Sequence, residues 1–378
     1  MIYNLSIILF VLIVSYITGK FLVRLSYFNF LFSREGRYGG IDGLRGYLAL
    51  FVFVDHFIIM WYWQQGREWG SPPETYINNM GNVGVMIFFM ITGFLFTSKI
   101  IRDKGQTNWY KLYKSRIFRI YPLYLASLIV ITLIVFYQSN FTLHQEIILV
   151  VKQYIKWFFY LSTPINNFPD TRIINAGVDW TLKYEWLFYL SLPLIALSIR
   201  LGKWAIITFT LFTFILYLQN FQLIYIHTHF LIFFIVGALV AYLNTIIKPI
   251  YLKKIDSFLY SFFSLGLLLF AMAYPHTYDP IQIIAASAFF TLVVFGNTLF
   301  GLLKHKTSIF LGEISYSIYL LHAIVLYIIF ILLKVINIKT LSLETYEIMM
   351  PLLAITVIII STIAHVTIEL PCIRYGKK

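Results

Sequence analysis

Eleven mostly apolar runs, near residues 4–23, 44–63, 82–98, 120–138, 182–199, 204–220, 224–246, 257–274, 281–301, 314–335 and 349–368, alternate with short polar connections. A run of about 20 apolar residues is long enough to cross the hydrocarbon core of a bilayer as a helix. Lipid offers backbone N–H and C=O groups no partners, so a chain made of such runs satisfies them internally, in helices. The pattern predicts an all-α, polytopic integral membrane protein. One apolar stretch, 146–162, reads differently: Lys152 and Lys156 lie i,i+4 on one side of it, which suits a helix lying in the membrane interface.

Composition agrees with the pattern: the chain is 60% hydrophobic and only 12% charged, with mean hydropathy +0.80. The net charge of +13 would suggest nucleic acid if it were clustered on a soluble face. Instead most of the basic residues fall on one side of the predicted spans. Lys99, Arg102, Lys104, Lys111, Lys114, Arg116 and Arg119 fill one connection, and Arg200 with Lys203, Lys248 with Lys253 and Lys254, Lys304 with Lys306, and Arg374 with Lys377 and Lys378 share that side. Basic loops face the cytoplasm, so the N-terminus is expected outside, Arg34, Arg37 and the C-terminus inside, and no nucleic-acid partner is expected. The first run leads directly into Lys20 and Arg24 without a small-x-small cleavage site and is expected to be a retained helix.

Cys372 is the only cysteine, which excludes an intramolecular disulfide and a thiolate metal cluster within one chain. No Gly-rich phosphate loop, HExxH or nucleophile elbow occurs, and no metal is expected. Function must come from ionisable groups within the spans, where each is costly. In IDGLRGYLALFVFVDHF (41–57), Arg45 and His56 are eleven residues apart, close to three turns, so they share a face, with His56 roughly 16 Å further along the helix. Asp42 opens the same helix, and Asp55 lies about 100° round from His56. GVMIFFMITGFLF (84–96) brings Thr92 and Gly93, small residues that permit close helix packing or ligand approach. In KSRIFRIYPLY (114–124), Arg116 and Arg119 lie three apart on one face, and arginine forks bind phosphate in bidentate fashion. Pro122 is expected where a span begins or kinks. DWTLKYEWLFYLSLPL (179–194) sets Glu185, a carboxylate that needs a partner, in the opening turns of a span. GEISYSIYLLHAIV (312–325) strings Glu313, Tyr316, Tyr319 and His322 along one helix, and IELP (368–371) closes the last span with Glu369, which could pair with Arg45, Arg116 or Arg119.

In this order, Arg-x10-His, FFMITGFL, RIFRIYPLY, WTLKYEWLFY, ISYSIYLLH and ELP resemble the acyltransferase family 3 of membrane O-acyltransferases, over roughly residues 40–372. The resemblance implies a ten-helix acyltransferase core over 39–378, after an N-terminal helix and linker over 1–38. It implies no permanently bound cofactor, acetyl-CoA or another acyl-CoA as cytoplasmic donor, and as acceptor a hydroxyl of a cell-surface glycan or lipid-linked glycan such as a lipopolysaccharide O-antigen, in a bacterial inner membrane. Three positions depart from the family pattern: Met86 where an acidic residue is usual, Thr92 for Ser, and WTLKYE for WSL-x-x-E. Loss of the acid at Met86 moves the expected catalytic carboxylate to Glu185. On this reading Arg45, Arg116 and Arg119 hold the CoA phosphates and His56 acts as general base or as the site of a transient acyl-histidine. Glu185 or Tyr316 orients the imidazole or binds the oxyanion, with Asp42, Thr92, Gly93, Trp180, His322 and Glu369 in support. An intramembrane His, Glu and Arg set also suits a proton-coupled transporter, although no internal repeat is evident.

Overall fold

The computed structural model of the chain describes residues 2–25, 39–202, 226–247 and 254–377, with a few isolated positions besides. Among these, α1 (Ile2–Leu22), α2 (Gly39–Gln64), α3 (Thr75–Arg102), α4 (Trp109–Gln138), α5 (Ile147–Phe158), α6 (Trp180–Leu201), α7 (Leu231–Ile246), α8 (Phe258–Ala273), α9 (Pro280–Val294), α10 (Lys306–Glu313), α11 (Ser315–Tyr327), α12 (Met350–Ala364) and α13 (Leu370–Lys377) build an all-α membrane protein. Among the described residues the strands are two dipeptides, Gln222–Leu223 and Ile226–His227. Eight helical segments among the described residues are long and apolar enough to span a bilayer, and α8 and α9 are shorter apolar helices. The predicted span 204–220, and Arg34, Arg37, Lys203, Lys248, Lys253 and Lys378, lie outside the described residues.

Apolar sequence on all sides of a helix marks either a membrane-facing or a central position, and burial separates the two. The apolar window of α2 is 89% buried, against 22% for α1. Thus α2 is the hub, packed on α3, α10 and α11, while α1 lies on α12 and α10 and turns Leu9, Phe10 and Phe21 outward. Exposed Ile129, Leu133, Leu190 and Phe262 continue that outward apolar surface. Helix α5 buries only Val150 and Trp157 and exposes Lys152 and Lys156 beside its apolar residues, as an interfacial helix does.

Two backbone crossings fix the frame. A Cβ on Gly93 would collide with the Phe234 carbonyl, and one on Gly237 with the Met90 carbonyl, so α3 and α7 touch backbone to backbone. In the same way a Cβ on Gly312 would strike the Asp42 carbonyl and one on Gly43 the Leu303 carbonyl, which presses the start of α2 onto α10 and holds Asp42 and Arg45 near Glu313.

Two differences from the sequence reading bear on the site. The basic connection expected over 99–119 is only the turn between Arg102 and Trp109, because Asn108 Oδ1 accepts the Lys111 N–H at 2.9 Å and caps α4 there. Arg116 and Arg119 therefore sit on the second and third turns of a helix that runs through Pro122. Second, α6 begins part-way into the bundle: Thr181, in its first turn, bonds Tyr319 at 2.9 Å, and Tyr319 is only about 6 Å along α11 from its start. The preceding segment dips inward, its single turn Thr171–Ile174 lying against α11.

Candidate functional site

The sunken start of α6 brings its opening carboxylate down to the arginines. A cavity of about 490 Å³ is lined by Asp42 and Arg45 from α2, Thr92 and Lys99 from α3, Lys111, Arg116 and Arg119 from α4, Glu185 and Tyr189 from α6, Glu313 and Tyr316. Lys377 closes its rim, so six cations face three carboxylates there. The surplus of positive charge comes from helical spacing: with a residue every 100°, Arg116 and Arg119 fall on one face of α4. The Arg116 guanidinium lies over the Phe96 ring, 5.2 Å from its centroid, and Tyr189 donates to Glu185 Oε2 at 2.6 Å. Tyr316 is tethered by donation to the Ile120 carbonyl at 2.8 Å.

From this chamber a void of about 50 Å³ continues between Arg45, Phe88, Phe89, Thr181, Glu185, Ser315, Tyr316 and Tyr319. Tyr319 marks its upper end, and the Tyr319 and His322 rings are 6.4 Å apart. His322 is fully buried. Its Nδ1 lies 3.0 Å from the Ile318 carbonyl, which can only accept, so Nδ1 carries the hydrogen. In a neutral ring Nε2 is then an acceptor, and it lies 2.9 Å from His56 Nδ1. His56 Nδ1 must donate, which leaves His56 Nε2 with a free lone pair. The two rings lie 5.1 Å apart and nearly parallel, at 21°, and the half-buried His56 also faces Trp69.

Of the residues singled out from sequence, Asp42, Arg45, Thr92, Arg116, Arg119, Glu185 and Tyr316 meet in one cavity, and His56 and His322 meet each other above it. The partner of the His56 imidazole is His322, whereas Glu185 and Tyr316 bond Tyr189 and the Ile120 carbonyl. The cause is height: His56 is about 16 Å along α2 from Arg45, while Glu185 lies with Arg45. Gly93 faces Phe234 at the α3–α7 crossing. Trp180 packs among Phe89, Tyr184 and Phe230. Glu369 accepts from Ser317 at 2.8 Å and contacts His365 at 2.9 Å, within a π-helical turn over His365–Glu369. Asp55 turns away from the histidines and presses on Gly81. Met86 is fully buried apolar core.

Tyr189, Lys99, Lys111 and Lys377 also line the cavity and were not singled out from sequence. Tyr189 had a signal, since it stands four residues after Glu185 on one helix face. The lysines had none, because they match any basic membrane flank.

The comparisons with known proteins follow the same motifs. Residues 38–368 match the family model described as an acyltransferase domain, that of acyltransferase family 3. The O-acetyltransferase OatA of Staphylococcus aureus (strain NCTC 8325) is 26% identical over 166 residues, covering 41% of this chain and 24% of OatA. Another S. aureus protein (strain COL) with an O-acetyltransferase designation is 25% identical over 168 residues, 43% of this chain and 25% of its own length. The aligned part thus spans about a quarter of these relatives. No solved structure matches. With residues 38–368 matched by the family model, the chain belongs to acyltransferase family 3.

Proposed function

We propose that the protein is a membrane O-acetyltransferase that takes acetyl-CoA at its basic, cytoplasmic end and delivers the acetyl group to a glycan hydroxyl arriving from the opposite side. The observation that carries this reading is the order of a cationic chamber, a narrow void sharing Arg45, Glu185 and Tyr316 with it, and a histidine pair next to Tyr319 at the void's end. Arg116, Arg119 and Arg45 suit the phosphates of CoA, because their planar forks make bidentate, charge-assisted bonds. The void between Tyr316, Thr181 and Tyr319 marks the course along which the pantetheine arm, larger than the void, would part these side chains to bring the thioester toward His56. Glu185, held by Tyr189, counters the arginine charge and keeps their forks oriented.

The chemistry balances on the pair. The acceptor hydroxyl gives its proton to His56 Nε2 as its oxygen bonds to the thioester carbonyl carbon. The resulting imidazolium keeps its Nδ1–H bond to His322 Nε2, which accepts more strongly from a charged donor. Collapse of the tetrahedral intermediate breaks the C–S bond, and the leaving thiolate recovers the proton from His56. Products are the acetyl ester and CoA thiol, and the enzyme returns to its starting tautomers. A neutral pair is required at the start, because a protonated His56 has no lone pair to offer.

The direct test is thioester turnover. Purified protein in detergent, given acetyl-CoA and an oligosaccharide acceptor, is expected to release CoA thiol and form an acetyl ester detected by mass. A proton-coupled transporter, the alternative use of such residues, would release none.

A further inference from the structure

A second cavity, of about 640 Å³, opens at the end of the bundle remote from the arginines. Its walls come from the far ends of α2, α4 and α11 and from the two connections 159–179 and 333–342. Three features distinguish it from the arginine chamber. Trp63, Phe168 and Tyr327 supply flat aromatic surface, and the Trp63 and Tyr327 rings run nearly parallel at 25°. Gln64, Gln138, Asp170 and Asn337 supply planar amide and carboxylate groups, each able to engage two neighbouring hydroxyls at once. Lys334 and Lys339 stand exposed at its edge.

Ring contacts run from the wall of this cavity to the histidines. Trp63 meets Trp69 edge to face at 5.8 Å, and Trp69 lies along His56 at 6.4 Å. The segment that carries Phe168 and Asp170 continues inward through the turn Thr171–Ile174 to Thr181, which bonds Tyr319. A ligand seated here is therefore separated from His56 by two tryptophan rings, on the side away from the CoA-type chamber.

We propose that this cavity is an outer acceptor subsite, that it holds a pyranose ring neighbouring the one that is acylated, and that the ring it holds carries an acidic substituent. The apolar C–H face of the ring lies on Trp63, and Gln64, Gln138, Asp170 and Asn337 take the equatorial hydroxyls. The acid meets Lys334 and Lys339. Aromatic walls alone would serve any apolar or interfacial ligand, since Trp and Tyr gather at membrane surfaces without further cause. It is their combination with planar polar groups that specifies a polyol, and the two exposed ammonium groups that specify an anion. The proposal rests on the acyltransferase reading for its place in the reaction, but the binding it requires can be measured without turnover.

The experiment is equilibrium binding of two trisaccharides, trigalacturonic acid and the neutral maltotriose, to purified full-length protein in nanodiscs. Wild type is expected to bind the acidic sugar more tightly. In Lys334→Gln/Lys339→Gln, affinity for trigalacturonic acid is expected to fall about five- to tenfold, as suits two exposed charge contacts, with maltotriose affinity unchanged as the internal control for folding. Phe168→Ala is expected to weaken both sugars. Equal affinity of wild type for the two sugars, no binding of either, or an acidic-sugar Kd that the lysine variant leaves within twofold would each overturn the proposal. The absence of thiol release from acetyl-CoA in the wild type would instead overturn the acyltransferase reading and leave the sugar measurement standing.

Discussion

The two cavities at opposite ends of the bundle differ in how they are built, and the difference shows what each end can recognise. At the arginine end, helices supply nearly every wall residue, and charge dominates: six cations surround three carboxylates. At the far end two connecting segments supply half the walls, and aromatic rings alternate with amides. Rigid helices with fixed forks suit a ligand whose charged part is invariant, such as a nucleotide diphosphate. Walls built on connections suit ligands that vary, because loops change without disturbing the packed helices beneath them. Between the ends stands the His56–His322 pair, with Tyr319 beside it on one side and Trp69 on the other.

The severest way to break the comparison is to remove the group both ends serve. His56→Ala leaves a small apolar side chain in α2 and is expected to insert and fold, yet to lose acetyl transfer by about 10²–10⁴-fold, the usual share of a general base. Ester formation at the wild-type rate in that variant would show that the two cavities do not converge on this imidazole.

A smaller and one-sided effect is expected at the arginine chamber. Arg116→Lys/Arg119→Lys keeps the positive charge that sets orientation but loses the planar fork, weakening phosphate contacts by about 1–3 kcal/mol. Acetyl-CoA KM is expected to rise about tenfold or more while acceptor KM holds. Arg200→Lys, at the end of α6 and away from the chamber lining, is expected to change neither. A full acetyl-CoA titration that superimposes the double variant on wild type would reduce both arginines to membrane anchors.

The smallest expected effect sharpens the centre. His322→Gln retains an acceptor for the His56 Nδ1–H but lacks an aromatic ring for stacking and is less basic, so kcat is expected to fall about tenfold with both KM values held. A purely structural role would instead lower thermal stability without this selective loss of kcat.

The arginine chamber was largely legible in the sequence, because helical periodicity alone aligns Arg45 with His56 and Arg116 with Arg119, and a membrane makes every such group conspicuous. The helices themselves were legible for the same reason, although α4 begins about eleven residues before the predicted 120, since the basic turns preceding an apolar run still form helix once Asn108 caps them. What could not be read was depth. The sunken start of α6 depends on the segment 159–179 folding inward against α11, a tertiary fact with no periodic signal, and it decides that Glu185 joins the arginines and not His56. The His56–His322 bond links positions 266 residues apart, and no local pattern announces it. The far cavity was hidden twice over: its tryptophan matches an ordinary interfacial belt, and Phe168, Asp170, Lys334 and Lys339 belong to connections that carry no regular period.

Opposed access of donor and acceptor to one histidine pair is tested most directly by sidedness. Acetyl-CoA does not cross a sealed bilayer, so membrane vesicles of defined orientation can offer it to one end at a time. Inverted vesicles, which by the proposed orientation present the arginine end to the medium, are expected to release CoA thiol from added acetyl-CoA and to trap acetylated glycan in their lumen. Right-side-out vesicles are expected to do neither until they are permeabilised. Equal turnover in both sealed preparations, or turnover confined to the right-side-out ones, would contradict the assignment of the arginine chamber to the donor.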